Sequence, residues 1–151
     1  VVGEGKFFSN GFTYSAHPVA CAAGLKNLEI MEREKLCERV RELGPYFQER
    51  FQTLADLPVV GNVRGSHFMV CVEFVSDRKT KAVPPAEWEI GFRIMRNTMP
   101  KGLLVRPMAH LIVLSPPLIV TRAQIDEAVE ALRAGIKDTM DELTREGLWR
   151  G

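Results

Sequence analysis

Two places in the chain carry side chains suited to holding an anion. The first is Gly11-Phe12-Thr13-Tyr14-Ser15, a glycine-led loop with consecutive hydroxyls ahead of a small, helix-prone run that starts at Pro18. Hydroxyls and free backbone N–H groups at a loop-to-helix junction favour negative charge, because orphan donors and the helix dipole point the same way. The same composition serves a helix N-cap with solvated neighbours, and the pattern by itself leans to that plainer role. The second place is Arg106, set between Val105 and Pro107 at the end of an apolar run. A charge there is costly unless paired. Its planar fork of donors suits a carboxylate, from a ligand or from an acidic side chain of the protein, and the pattern leaves those two balanced. Arg64, beside Gly65, is a weaker case of the same kind and reads as structural. His17, before Pro18, reads as a structural hydrogen-bonder. Lys6, Lys26 and Lys101 lie in loop or surface-helix contexts, where nothing desolvates an amine into a nucleophile.

Other chemistries have no residues to carry them. The sequence holds no Ser/His/Asp set, metal-ligand cluster, phosphate-binding glycine loop or dinucleotide fingerprint. Its 20 basic and 19 acidic residues are interspersed and leave a net charge of +1, so no basic stripe points to nucleic acid. Cys21, Cys37 and Cys71 are scattered without metal or disulfide spacing, which fits a reducing, cytoplasmic compartment. No apolar run reaches membrane-spanning length, and no charged-then-apolar leader opens the chain. The chain begins Val1-Val2-Gly3 rather than with methionine, which reads as a piece of something longer. At 151 residues and 46% hydrophobic, it has enough apolar material for an ordinary core without disulfides.

The elements that must position these side chains follow from periodicity. Val19, Ala23, Leu28, Met31, Leu36, Val40 and Leu43 recur near helical spacing, which predicts one long helix from Pro18 stopped or kinked at Gly44-Pro45. Phe47, Phe51 and Leu54 continue an amphipathic stretch that Leu57-Pro58 ends. From Val59 to Val75 the chain is β-branched and aromatic, with Gly61 and Gly65 as turn or bulge positions. Phe68, Val70, Val72 and Phe74 share one strand face. Their alternates Met69, Cys71 and Glu73 are only partly polar, which predicts a central strand. A helix over 86–98 is anchored by Trp88, Phe92 and Met95, and two short strands follow, joined through Met108-Ala109-His110. Thr121 and Gln124 form a capping box ahead of a last helix striped by Ile125, Val129, Leu132, Ile136, Met140 and Leu143. The layout predicts an α+β fold: a small, mostly antiparallel sheet covered by helices.

Taken together, GFTYSAHPVACAAGL from Gly11, VRG at 63–65, GLLVRP at 102–107 and LIVLSPPLIVT at 111–121 resemble the class III pyridoxal-phosphate-dependent aminotransferases, nearest to the ω-amino acid:pyruvate branch. The similarity runs along essentially the whole chain but matches only the last third or so of that family. The resemblance implies residues 1–18 as the cofactor-phosphate loop ending a large domain, and residues 19–151 as a C-terminal small domain like that of fold-type I enzymes. It implies that Thr13, with Phe12 beside it, binds the phosphate of pyridoxal 5'-phosphate in the partner subunit of a homodimer. It also implies that Arg106 binds the carboxylate of a keto-acid or amino-acid substrate.

The family usually has glycine where Ala16 stands, and a glycine-led pair where this chain has His67-Phe68. The Schiff-base lysine, the aspartate facing the pyridine nitrogen and the ring-stacking aromatic all lie upstream in the family. The resemblance therefore implies no catalytic residue in this stretch and no turnover by it alone. Read without the resemblance, the chain would equally make a stand-alone, non-catalytic α+β interaction or regulatory module.

Overall fold

A computed structural model describes residues 10–150. The chain divides into two units, Val1–Cys37 and Glu38–Gly151. In the first, α1 (Pro18–Arg33) starts with proline in its first turn, where a missing N–H is no loss. No residue of α1 is buried.

The predicted long helix is two helices. Lys35 takes a left-handed φ of 50°, and α2 (Leu36–Gln52) starts immediately after it. Nothing in Glu34-Lys35 marks this break by propensity. The expected stop at Gly44-Pro45 is instead absorbed inside α2. The reason is local: a proline ring usually forces its predecessor out of the helical region by colliding with its Cβ, and Gly44 has none. Glycine there meets a second need. A Cβ at Gly44 would lie 2.9 Å from His67 Cα, so α2 passes directly against the turn that carries His67.

β1 (Val60–Ser66) and β2 (Met69–Phe74) form a hairpin whose turn is His67-Phe68. Gly61 lies at the register shift between Val60 and Asn62, as a bulge should. Gly65 is not a turn residue; it pairs with Val70, and a Cβ would run into the Met69 carbonyl. After a short 3-10 turn (Ala86–Trp88) comes α3 (Ile90–Thr98), then β3 (Arg106–Met108), β4 (Leu111–Leu114) and α4 (Arg122–Arg145). The sheet order is β1-β2-β4-β3, antiparallel throughout, with β2 inside it. Trp88 anchors its segment as expected, but Phe92 is 59% exposed. Ile90, Gly91 and Ile94 face inward in its place, because α3 begins only after Glu89 takes a left-handed φ of 43°. The offset turns the helix relative to its expected phase.

The core of the second unit lies between one face of the sheet and the helices. Val63, Val70, Val72, Phe74 and Ile112 come from the strands; Phe47, Phe51, Ile125, Val129, Leu132 and Ile136 come from α2 and α4. This is the predicted α+β architecture. The capping box forms in full, with Gln124 N–H donating to Thr121 Oγ1 and Thr121 N–H to Gln124 Oε1. Polar clamps hold the helices in place. Asp126 accepts from Tyr46 Oη and Arg50 Nε, each at 2.6 Å, tying α2 to α4. Arg93 grips both carboxylate oxygens of Glu146 at 2.6 and 2.7 Å, tying α3 to the end of α4.

Candidate functional site

In the first unit, Phe12 and Ser15 close a turn on each other. Ser15 N–H donates to Phe12 O at 2.8 Å, and Phe12 N–H donates to Ser15 Oγ at 2.7 Å. Thr13 and Tyr14 are the central residues of that turn. Among the described residues, the Thr13 hydroxyl and the N–H groups of Thr13, Tyr14 and Ala16 engage no acceptor. Thr13 is therefore not a helix cap. The N-cap of α1 is His17, and it makes no side-chain capping bond. Several donors at one exposed turn, ahead of an uncapped helix start, fit a phosphate chemically. Ala16 adopts a left-handed φ of 62° to turn the chain into α1. That conformation is one glycine takes without cost.

In the second unit, the cross-strand registers set four residues in one rank: Arg64 opposite Cys71, Cys71 opposite Val113, and Val113 opposite Arg106. Side chains alternate across a sheet, and the neighbours Val63, Val70, Val72 and Ile112 fill the core face. The rank therefore lies on the face turned away from the helices. It puts an arginine on each outer strand of the sheet. The sequence pattern named both arginines but gave no sign that they share a rank, since that depends on long-range register.

The two arginines differ in how they are satisfied. Arg64 is paired with Glu73 on the neighbouring strand, which makes it structural, as the sequence suggested. Burial pushes the Cys71 thiol up, away from the reactive thiolate form. Arg106 is exposed and has no hydrogen bond or ion pair among the described residues. Lys26 is paired with Glu29 and Lys101 with Asp138, each at 2.7 Å, so neither is a free amine. Lys6 lies outside the described residues. Arg106 also contributes to the wall of an apolar cavity of about 390 Å³ at the end of the sheet. A larger open hollow of about 1050 Å³ runs along α4 and does not include it.

Among the described residues, no group of three or more His, Cys, Asp or Glu could hold a metal, and no helix is long and apolar enough to cross a membrane. The chemistry these residues can support is anion binding: a donor-rich turn in one unit and a strand-borne guanidinium in the other.

Known proteins similar to this chain in sequence and fold are transaminases. An uncharacterized aminotransferase of Sinorhizobium fredii is 39% identical over 143 residues, 93% of this chain and 31% of the relative. The putrescine–pyruvate aminotransferase of Pseudomonas aeruginosa is 37% identical over 92% of this chain and 30% of its own length. Among solved structures, an (S)-enantioselective omega-transaminase from Thermomicrobium roseum superposes with a TM-score of 0.82 at 38% identity, over 91% of this chain and 31% of that one. A PMP-bound aminotransferase from Vibrio fluvialis gives a TM-score of 0.82 at 38% identity, over 90% and 30%. The chain thus spans under a third of the relatives it matches. The sequence pattern of the family Aminotransferase class-III covers residues 2–136. With sequence and fold in agreement, the chain belongs to the class III aminotransferases.

Proposed function

We propose that this chain is the C-terminal part of a pyridoxal-phosphate-dependent transaminase that moves an amino group from an amine or ω-amino acid to a keto acid such as pyruvate. Pyridoxal 5'-phosphate supplies the electron sink and carries the amino group between the two half-reactions. The chain's own residues bind and orient. Thr13, with Phe12 beside it, holds the cofactor phosphate, and in a homodimer that cofactor is the partner subunit's. Arg106 holds the substrate carboxylate through paired N–H bonds. No proton-transferring lysine is assigned to these residues, so the piece does not turn over alone. Residues 1–18 then end the large domain and residues 19–151 form the small one. A cytoplasmic setting is supported by Cys21, Cys37 and Cys71, all free thiols. Family membership favours this reading over a non-catalytic module.

The observation that carries the reading is the exposed guanidinium of Arg106, which has no ion pair among the described residues. The test is Arg106→Ala in the whole enzyme, compared in single-turnover half-reactions with alanine and with a benzylic amine that has no carboxylate. Loss with alanine and retention with the amine is the expected result. Arg106→Lys should rescue little, because a point ammonium does not reproduce the bidentate fork. Equal losses on both substrates would refute substrate binding by Arg106.

A further inference from the structure

Gly91 is buried in the first turn of α3 and lies directly against the segment that carries Arg106. A Cβ on it would come within 2.3 Å of the Ala109 carbonyl oxygen and 2.8 Å of Pro107 Cβ, where ordinary contact begins near 3.4 Å. Any side chain at this position therefore has to displace its neighbours. β3, which Arg106 begins, has little else to fix it. It has three residues, lies at the edge of the sheet and pairs with β4 alone. Pro107, in its middle, brings no N–H to that ladder. In the register Pro107 stands opposite Ile112, a core residue, whereas Arg106 stands opposite Val113 in the outer rank. α3 thus bears on the inner side of the strand whose outer side carries Arg106.

We infer that Gly91 is a positioning residue for Arg106: the missing Cβ lets α3 seat on β3, and that seat sets where the strand holds its guanidinium. The inference rests on the reading of Arg106 as the carboxylate-binding residue. Gly91 acts only through the strand, since the sheet lies between it and the outer rank. An added methyl has to move strand or helix by about 1 Å to reach ordinary contact. α3 is the stiffer of the two. Arg93 ties it to Glu146, and Asn97 ties it to Thr139 and Glu142 of α4. The short strand, paired on one side, gives way instead. A misplacement of about 1 Å can cost about a hundredfold in rate. It does so here because a paired-bond fork needs alignment with its carboxylate. An amine without a carboxylate makes no such demand.

The test runs single-turnover half-reactions of the whole enzyme with alanine and with a benzylic amine, for the parent, Gly91→Ala, Arg106→Ala and the double variant. Gly91→Ala should slow the alanine reaction by about ten- to a hundredfold and leave the amine reaction near the parent rate. In the Arg106→Ala background it should add no further loss, because the two act through one interaction. Gly44→Ala crowds a different helix-to-turn contact, at the β1–β2 turn, and should lower stability without separating the substrates. Should Gly91→Ala fold poorly, Pro107→Ala loosens the same seat from the strand side and should separate the substrates in the same direction; no separation would overturn the inference. Gly91→Ala slowing both substrates equally or neither, or adding its full loss to that of Arg106→Ala, would overturn the role of Gly91. The Arg106 reading then stands, provided Arg106→Ala itself separates the substrates. Arg106→Ala failing to separate them would overturn that reading and this inference with it.

Discussion

Gly44 of α2 and His67 of the β1–β2 turn occupy each other's space: a Cβ on Gly44 would lie 2.9 Å from His67 Cα and 3.1 Å from both its Cβ and its Cδ2. His67 sits at a φ of 48°, where glycine is the unstrained residue. Its ring is held by Ser66 Oγ at 2.7 Å from Nδ1, and its carbonyl by Gln48 Nε2 at 2.7 Å. The turn is thus strained in itself and pinned from the helix that passes it. Gly44→Ala should destabilise the second unit by about 1–3 kcal/mol through overpacking, less about 1 kcal/mol returned by helix propensity. His67→Gly removes two of the three colliding atoms, so the same alanine should cost less in that background. Urea midpoints for the parent, both single variants and the double variant give the coupling. Strict additivity would mean that the two residues do not share this space.

Thr13 makes a second prediction. On the proposed role of Thr13 as a phosphate donor rather than a cap, Thr13→Ala in the whole enzyme should weaken cofactor binding by about 1.5–3 kcal/mol, the range for a hydrogen bond to a charged group. The melting temperature of the cofactor-free protein should not change. Thr13→Ser should keep most of the affinity. Exhaustive dialysis followed by cofactor absorbance measures this, and a lowered apo melting temperature with full retention would restore the capping role.

Asp126 gives a pH signature. The hydrogen bond from Tyr46, then that from Arg50, holds its carboxyl below the usual carboxylate range. A depressed folded value means that the charged form stabilises the fold above the unfolded pKa, about 3.9. That contribution is lost as pH falls through the lower folded value. The stability gap between the parent and Asp126→Asn should therefore be the same at pH 7 and pH 5 and shrink toward pH 3. Unfolding curves at these three values decide it; a gap independent of pH would assign Asp126 a purely geometric role.

The cap of α4 is open to a direct test of magnitude. Thr121→Ala should cost about 0.5–2 kcal/mol, because Gln124 N–H loses its acceptor. Thr121→Ser should recover most of it. Thermal unfolding of the second unit reads the difference, and an alanine variant of unchanged stability would mean that water satisfies the helix start as well as the hydroxyl does.

Elements governed by local signals were legible in the sequence. The stripe from Ile125 to Leu143, the capping box, the buried face of Phe68, Val70, Val72 and Phe74, and the inner position of β2 all follow from period and cap chemistry, and all are present. What sequence reading missed lies in backbone conformations that residue type does not announce. The helix break at Lys35 occurs in a run of good helix formers, and Gly44-Pro45, a strong breaker by composition, stays helical because Gly44 has no Cβ for the proline ring to strike. The phase error at Phe92 has the same origin, a left-handed residue at Glu89 with no glycine to announce it. At the candidate sites, the residue types of Thr13 and Arg106 were visible, but not what decides between their roles. The free donors at 13–16 and the absence of an ion pair at Arg106 among the described residues are properties of folded geometry.

α1 spans 16 residues and buries none of them. A helix of that length is marginal in water when nothing packs on it, and Lys26, Arg33 and Lys35 offer trypsin its preferred bonds within and just after it. The 151-residue chain should therefore be nicked there first, leaving a resistant body that begins near Leu36. If the chain is part of a longer enzyme, as proposed, the apolar side chains of Val19, Leu25 and Leu28, each more than half exposed here, have the rest of that protein available to cover them. Resistance of the Lys26 bond to trypsin then becomes a clock for assembly: the time at which cleavage stops marks when this piece has found its surroundings.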